Sequence, residues 1–143
     1  MFSGEFIYKT TLPIKKEVAW TFFNDISNLV RITSFPKITI VSHNGTKKDS
    51  VTELYLDFFL FSKKWTLTYI DVEEGQFFKD RSDTVPFPFK TWEHTHSFEE
   101  VGEKTVMIDK VKFESYVPIF IAKIGLTVMF KGRQQSLKKH LPI

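Results

Sequence analysis

The chain has 143 residues, of which 16 % are aromatic and 26 % are charged. This length predicts one domain over residues 1–143, and so many rings suit either a thick core or the lining of an apolar cavity. The net charge of +3 is small and spread along the chain, whereas nucleic-acid binding needs a clustered basic stripe. We therefore expect no nucleic-acid partner.

Cysteine is absent, so disulfides, thiolate nucleophiles and thiolate metal ligands are excluded. The first residues lack a cationic segment followed by an apolar run, and no secretory signal is expected. The longest apolar stretch, residues 118–130, contains Lys123 and is too short to span a bilayer. These features predict a soluble cytoplasmic protein with no integral membrane association.

The N-terminal part is predicted to start as a strand and to continue as two short helices. Alternating side chains favour a strand over residues 2–12, because successive side chains of a strand point to opposite faces. Helical spacing of large apolar residues then predicts a helix over 15–24. Asp25 and Ser27 are suitable N-terminal caps for a second helix over 27–32.

The middle of the chain is predicted to be a series of strands divided by turn residues. Asn44-Gly45 is a hairpin dipeptide, Ser62-Lys63 a tight polar turn, and 83–88 a proline-rich loop. The predicted strands cover residues 37–43, 50–61, 64–72, 76–82, 89–99 and 105–115. One long helix with an unusually apolar first half is expected over 118–141.

The order of these elements is one strand, two short helices, six strands and a long helix, which predicts an α+β fold. Consecutive strands argue for an antiparallel sheet, and the terminal helix must bury its apolar side on one face of that sheet. A curved sheet wrapped around one helix leaves a space between them, and a ligand would occupy that space.

The stretch from residue 92 to residue 98 is the most informative segment for function. One face of a strand would carry its alternate residues Trp92, His94, His96 and Phe98. A core needs no imidazoles and a solvated face rarely carries Trp and Phe, but an aromatic pocket with polar groups needs both. The pattern therefore predicts a binding cavity more clearly than a reaction.

The two histidines leave three roles open. With Asp109 on the next strand, His94 and His96 could bind a zinc ion or form a proton relay for acid–base catalysis. A histidine pair in a pocket more often forms hydrogen bonds, so the sequence favours binding over catalysis and predicts neither a metal nor another cofactor. No catalytic residue is assigned, and the candidates are His94, His96 and Asp109.

Two further features concern surfaces and charge. Alternate residues of one predicted strand would form a sheet face too aromatic to be fully solvated. This leaves open that a homodimer or another protein partner covers the face, or that the face is the mixed lining of the cavity. That face would carry Glu53, Tyr55, Asp57, Phe59 and Phe61. In the terminal helix, Arg133 and neighbouring cations are expected to complement the negative end of the helix dipole.

Several local sequences, together with the order of the elements, carry a resemblance that covers essentially the whole chain. The residues that carry it are Val18-Ala19-Trp20, Phe22-Phe23, Asp25, Asn28-Leu29, Ile32-Thr33, Phe78, Asp80, Pro86-Phe87, Trp92, His94, His96, Phe98, Thr105, Asp109, Val111 and Phe113. With these residues the chain resembles the START/Bet v 1-like (SRPBCC, polyketide cyclase/dehydrase and lipid transport) superfamily, in its small bacterial ligand-binding branch. The resemblance implies a helix-grip fold, in which a curved antiparallel sheet of about seven strands wraps around a long C-terminal helix.

The resemblance also implies a small hydrophobic or aromatic ligand, lipid- or polyketide-like, in a cavity between the sheet and the C-terminal helix. The alternative is an enzyme of the cyclase or hydratase type using His94, His96 and Asp109. The residues expected to bind the ligand are Trp92, His94, His96, Phe98, Phe78, Phe87, Phe113, Phe120 and Met129. Val85 stands where relatives usually have glycine, and residues 79–83 are more charged than usual, so the family's ligand specificity is not carried over.

Overall fold

The computed structural model describes residues 1–33, 36–82 and 84–141, so the first residue of the predicted 83–88 loop lies outside the described residues. The elements follow the order expected from the sequence. The helices are α1 (Lys16–Phe23), α2 (Ile26–Ile32) and α3 (Ile119–His140), and the strands are β1 (Phe2–Leu12), β2 (Lys37–His43), β3 (Val51–Asp57), β4 (Ser62–Glu73), β5 (Phe77–Ser82), β6 (Phe89–Val101) and β7 (Lys104–Ser115).

Among the described residues, seven strands form an antiparallel sheet in the order β1-β7-β6-β5-β4-β3-β2. Strands β2 to β7 form a meander, since each pairs with the next along the chain. Strand β1 pairs with β7, so the first and last strands lie side by side. With α1 and α2 between β1 and β2, and α3 after β7, the predicted α+β helix-grip fold is confirmed.

Helix α3 packs its apolar stripe against β1, β6 and β7. The buried residues of this stripe are Ala122, Leu126, Phe130 and Leu137. The first turn of α3 approaches β1 so closely that a Cβ on Gly4 would lie 2.8 Å from the Ile119 side chain and 2.9 Å from the Phe113 ring, a space that only glycine fits. Within the described ranges, no helix combines the length and hydropathy needed to cross a bilayer.

Buried side chains form three clusters in the part of the chain that the structure describes. The first lies beneath α1 and the last turns of α3, and includes Trp20, Phe98 and Leu137. The second lies beneath the first half of α3. The third is formed by β2, β3 and β4 against α2, and no described α3 residue belongs to it. Helix α3 therefore leaves a part of the sheet uncovered between the second and third clusters.

Strand β3 ends at Asp57, earlier than predicted, and the predicted turn at Ser62-Lys63 belongs to β4. The turn instead lies between Phe58 and Phe61, where the Phe58 N–H donates to the Phe61 carbonyl over 2.9 Å. The Asp57 carboxylate accepts the N–H of Phe59, which adopts a φ of 77°. The expectation of an aromatic outer face on this strand is therefore wrong, because Phe59 and Phe61 lie in the exposed turn.

The connection between β2 and β3 begins at the predicted Asn44-Gly45 turn and runs over residues 44–50, one residue longer than the gap between the predicted strands. The side-chain oxygen of Asn44 accepts the Val51 N–H over 2.8 Å, and Gly45 adopts a φ of 130°. The other helix and strand boundaries agree with the predictions to within two residues. The predicted cap of α2 is confirmed, because the Asp25 carboxylate accepts the Ser27 N–H over 3.0 Å.

Candidate functional site

The inward face of β6 carries the residues predicted from its alternation. All four are buried, and they are Trp92, His94, His96 and Phe98. The intervening side chains of Glu93, Thr95 and Ser97 are partly exposed on the other face. The predicted common face is therefore confirmed, and it turns two imidazoles toward α3.

Strands β5 and β7 place a carboxylate on either side of His94. Asp80 lies directly opposite His94, and Asp109 lies directly opposite His96. Residues directly opposite each other share a face, so both carboxylates lie on the inner side of the sheet. The Nε2 atom of His94 lies 2.7 Å from Asp109 Oδ1, and its Nδ1 atom lies 3.5 Å from Asp80 Oδ2. The imidazole of His94 thus bridges two buried carboxylates.

This arrangement holds His94 in its charged form at neutral pH. Burial alone would lower its pKa, but hydrogen bonds to Asp109 and Asp80, together with their charges, raise the pKa to about 9. Burial also opposes the ionisation of Asp109, yet its two histidine neighbours and Arg133 bring the pKa of this carboxyl below its usual value. His94 is therefore an imidazolium that donates from Nε2 to Asp109 and forms an ion pair with Asp80 on its other side.

The second histidine, His96, has one free nitrogen. Its Nδ1 lies 3.2 Å from Asp109 Oδ1, whereas its Nε2 is buried without a hydrogen-bond partner among the described residues. Three rings surround the imidazole, with centroids 4.9–5.0 Å away, and they belong to Phe23, Phe78 and Phe98. Burial lowers the pKa of His96 to about 4. With its proton on Nδ1 toward the carboxylate, the neutral ring leaves Nε2 as an acceptor.

Helix α3 adds Arg133 to this cluster. Arg133 follows Phe130 by one turn and precedes Leu137 by another, so it belongs to the stripe that faces the sheet. Its guanidinium carbon lies 5.3 Å from the Phe130 ring centroid, and its buried Nε has no partner among the described residues. Burial lowers the pKa of Arg133, while the charges of Asp109 and Asp80 oppose that shift. The role predicted for Arg133, of complementing the helix dipole, is therefore corrected: it faces the site.

Two adjoining cavities lie between the sheet and α3. The outer cavity has a volume of about 560 Å³, and the inner cavity, which reaches the histidines, has a volume of about 90 Å³. Both are bordered by Ile38, Trp65, Trp92, Met129 and Arg133. Val85 lines the outer cavity together with Gly125 and Gly132 of α3.

Six of the nine residues predicted to contact a ligand line these cavities. They are Trp92 and Met129 in both cavities, His94, His96 and Phe78 in the inner one, and Phe87 in the outer one. The Phe87 side chain is 71 % exposed, which places it at the mouth. Ligand contact by these six residues stays a prediction, and the structure brings them together around one space.

Three of the predicted residues lie elsewhere. Phe98 packs beneath α1, with its ring 5.9 Å from that of Trp20. The ring of Phe113 packs on Phe89 at 5.3 Å. Phe120 is 67 % exposed on α3. Because none of them borders either cavity, direct ligand contact is no longer assigned to Phe98, Phe113 or Phe120.

The inner cavity is also bordered by residues that were not predicted to contact a ligand, among them Asp80, Trp65 and Arg133. Asp80 follows Phe78 by two residues on β5, so strand alternation places it on the inner face. Trp65 alternates in the same way with residues 67 and 69 of β4. Arg133 continues the three- and four-residue spacing of the buried positions of α3. In each case the signal was a polar or indole group on an otherwise apolar face.

His94, His96 and Asp109 form a group that could hold a metal ion, since one donor atom from each lies within 4.8 Å of the others. Two ligands of a tetrahedral zinc ion, each at about 2.0–2.1 Å, are separated by about 3.3 Å. The 2.7 Å between His94 Nε2 and Asp109 Oδ1 is shorter than that and is the distance of a charge-assisted hydrogen bond. His94 Nε2 and Asp109 Oδ1 are therefore bonded to each other, whereas His96 Nε2 has no hydrogen-bond partner among the described residues.

Comparison with known proteins bears on the fold. No family profile matches the chain, and no curated protein matches its sequence. A structure from Chromobacterium violaceum is similar with a TM-score of 0.79 at 11 % identity, covering 97 % of each chain. The ginseng major latex-like protein 151 from Panax ginseng gives 0.75 at 11 % identity and covers 100 % of each chain. The Zhui aromatase/cyclase from a Streptomyces species gives 0.70 at 12 % identity, covering 94 % of this chain and 88 % of that one.

These similarities lie in the arrangement of the elements, because the identities are only 11 to 12 %. They extend over almost the whole of both chains, so they concern the complete sheet and its helices rather than a fragment. The protein therefore has the helix-grip fold that its sequence predicted, and it shares this fold with these structures.

Proposed function

We propose that the protein binds a small hydrophobic or aromatic ligand, lipid- or polyketide-like, between the sheet and α3. The observation that carries this proposal is the outer cavity of about 560 Å³, whose wall is mainly apolar. Its volume falls in the range of roughly 300–1,000 Å³ that is usual for small-molecule sites. Burial of apolar ligand surface would contribute about 25 cal/mol per Å² before the costs of ordering the ligand.

Two glycines of α3 allow a test that leaves the core intact. Gly125 and Gly132 both line the outer cavity, and a Cβ built on either residue has no atom within 4 Å. Leucine is a better helix former than glycine by about 0.8 kcal/mol, so Gly132→Leu should fold at least as well as the wild type. Its side chain would occupy the space that we assign to the ligand.

The test is a titration with the neutral fluorescent probe N-phenyl-1-naphthylamine, using protein purified without detergent. We expect the wild type to bind the probe and Gly132→Leu to bind it at least about tenfold more weakly. The matched control is Gln135→Leu, because Gln135 is exposed on the same helix and does not line the cavities. Equal binding by Gly132→Leu and the wild type would contradict the proposal.

Native mass spectrometry of the same preparation addresses the ligand itself. A ligand that co-purifies would add a fixed mass to the native protein relative to the denatured chain, and that mass would identify its chemical class. The excess should disappear in Gly132→Leu and persist in Gln135→Leu. An excess mass that Gly132→Leu retains would place the bound molecule outside the cavity.

A second candidate function, acid–base catalysis of the cyclase or dehydrase type, is favoured by the free nitrogen of His96. His96 borders the inner cavity, and its buried Nε2 is unpaired among the described residues and belongs to a neutral ring, so it would accept a proton from a molecule bound against it. The similar Streptomyces protein is named an aromatase/cyclase, which accords with this candidate. The lowered pKa makes His96 a weak base, and binding therefore remains the first proposal.

The catalytic candidate predicts exchange of hydrogen on a bound ketone. The probe is 2-acetonaphthone, and the measurement is the exchange of its methyl hydrogens in D₂O by proton NMR. A base at His96 should accelerate exchange, and His96→Gln should remove the acceleration while the ketone still binds. Exchange no faster than in buffer alone would contradict catalysis and leave the binding proposal unchanged.

A further inference from the structure

Buried polar atoms without a partner are concentrated around the two cavities. Among the described residues they are Thr33 Oγ1, Trp65 Nε1, His96 Nε2 and Arg133 Nε. All four residues line the outer or the inner cavity. Buried polar groups in folded proteins nearly always have a hydrogen-bond partner. Four exceptions around one space therefore indicate that the missing partner is a molecule that enters it.

Trp65 and Arg133 determine what that molecule must offer. An indole N–H and a guanidinium N–H can only donate, so both require an acceptor atom. Arg133 forms no ion pair with the described residues, and the carboxylates of Asp80 and Asp109 are already held by His94. The planar fork of a guanidinium matches the two oxygens of a carboxylate. A carboxylate is thus the acceptor that these donors fit best.

The charges in the cluster place a condition on that carboxylate. The cluster already contains the carboxylates of Asp80 and Asp109 beside the imidazolium of His94 and the guanidinium of Arg133, while His96 is neutral. A bound carboxylate would add an uncompensated negative charge in a buried place unless a proton entered with it. His96 Nε2 is the buried atom of this cavity that can take that proton.

His96 is the neutral imidazole of this cluster, because the neighbouring imidazole of His94 already carries its proton. The titratable groups that face it are His94 from β6, Asp109 from β7, Asp80 from β5, Tyr69 from β4 and Arg133 from α3, while α1 contributes the ring of Phe23. Burial and the charge of Asp80 raise the pKa of Tyr69, so its hydroxyl stays protonated. Burial opposes the ionisation of Asp109, but its histidine neighbours and Arg133 lower the pKa of this carboxyl.

We propose that the ligand is a carboxylic acid that binds together with one proton. This inference rests on the proposed binding function. The apolar body of the acid occupies the outer cavity, its carboxylate lies in the inner cavity against Arg133 and Trp65, and the proton is held by His96. The inner cavity of about 90 Å³ equals the volume of about three water molecules, which suits a carboxyl group and excludes a ring system.

The experiment compares two molecules of the same shape, 2-naphthoate and 2-acetonaphthone, as competitors of N-phenyl-1-naphthylamine. Both molecules contain a naphthalene ring and a carbonyl group. The acid has a charged oxygen where the ketone has a methyl group. We expect the wild type to bind 2-naphthoate at least about tenfold more tightly than the ketone. Arg133→Gln should weaken 2-naphthoate about ten- to hundredfold and the ketone much less, since it removes a hydrogen bond from a charged donor to a charged acceptor. Lys131→Gln is the control, because it makes the same charge change at an exposed position of α3.

Proton uptake provides a readout that simple apolar binding would not produce. Calorimetric titrations at neutral pH in buffers of different ionisation enthalpy should report close to one proton taken up per 2-naphthoate and none per ketone. His96→Phe should abolish the uptake and weaken the acid, while retained binding of N-phenyl-1-naphthylamine shows that the variant is folded.

The outcomes separate this inference from the function on which it rests. Equal affinities for acid and ketone would overturn it and assign only water to the inner cavity. An acid preference that survives Arg133→Gln, or that involves no proton, would overturn it as well. Loss of the neutral probe together with both naphthalenes would instead contradict the proposed binding function.

Discussion

His94 bonds to Asp109 diagonally across the β6–β7 pair, although the residue directly opposite Asp109 is His96. The distance between His94 Nε2 and Asp109 Oδ1 is 2.7 Å, and Asp80 of β5 lies 3.5 Å from the other ring nitrogen. One buried imidazolium therefore joins three adjacent strands through two carboxylates. Because both partners are buried, the protonation of this ring is coupled to the stability of the sheet.

We expect the free energy of unfolding to fall as the pH rises from about 6.5 to about 9. The folded protein keeps a proton on His94 that the unfolded chain has released, so this contribution is complete below pH 6.5 and is lost as the pH passes through 9. One such proton changes the free energy of unfolding by at most about 1.4 kcal/mol per pH unit. Urea unfolding across this range measures the slope.

Asp80→Asn provides the control for the predicted fall in the free energy of unfolding at alkaline pH. It removes the more distant carboxylate and keeps the hydrogen bond to Asp109, so the pKa of His94 should fall and the loss of stability should begin at lower pH. Proton NMR of the imidazole ring reports that pKa directly. A free energy of unfolding that is flat between pH 6.5 and 9 in the wild type would show that His94 is not held in its charged form.

His96 should produce the opposite slope on the acid side. Burial lowers its folded-state pKa to about 4, so between pH 6.5 and 4 the unfolded chain binds a proton that the folded chain excludes. Stability should therefore rise with pH across that window and be lost as the pH falls through it. His96→Phe, which places a ring of similar shape among Phe23, Phe78 and Phe98, should flatten this limb. An unchanged acid limb in His96→Phe would assign the slope to other groups.

Much of the fold could be predicted because its signals are local. Strand alternation placed His94 and His96 on one buried face. A series of consecutive strands, separated by turns that contain proline or glycine, predicted the antiparallel sheet. The site itself depends on register, which alternation does not determine. That Asp80 lies opposite His94 follows from how β5 pairs with β6, and no single strand contains this information.

The failures of the sequence analysis have similarly specific causes. The strand predicted to run to Phe61 ends at Asp57 because the aspartate side chain accepts the N–H of Phe59, a local bond that competes with the ladder. Phe120 was assigned to the cavity on its apolar character, but it lies on the exposed side of α3. Helical periodicity indicates a face, whereas a helix with apolar residues on more than one face gives no preference between them. The cytoplasmic location stays a prediction.

The turn after β3 bears on the homodimer that the sequence left open. Phe59 is 90 % exposed and Leu60 is 87 % exposed, but a stable interface buries about 800 Å² on each partner, more than a turn of this length presents. With the outer aromatic face of β3 absent, we expect a monomer in sedimentation velocity and no change of mass in Phe59→Ser. A dimer that Phe59→Ser converts to monomer would contradict this expectation.

Two glycine-to-alanine substitutions should have opposite signs. In Gly125→Ala the new Cβ meets no atom within 4 Å, and alanine favours the helix, so the free energy of unfolding should rise by about 0.5–1 kcal/mol. In Gly4→Ala the Cβ would lie 2.8 Å from the Ile119 side chain and 2.9 Å from the Phe113 ring, so these side chains must shift and stability should fall. Urea unfolding measures both changes at one pH.

Because Gly125 lines the outer cavity, its alanine variant should also bind N-phenyl-1-naphthylamine slightly more weakly, although the protein is more stable. A gain in stability with unchanged probe binding would place the ligand away from this part of α3.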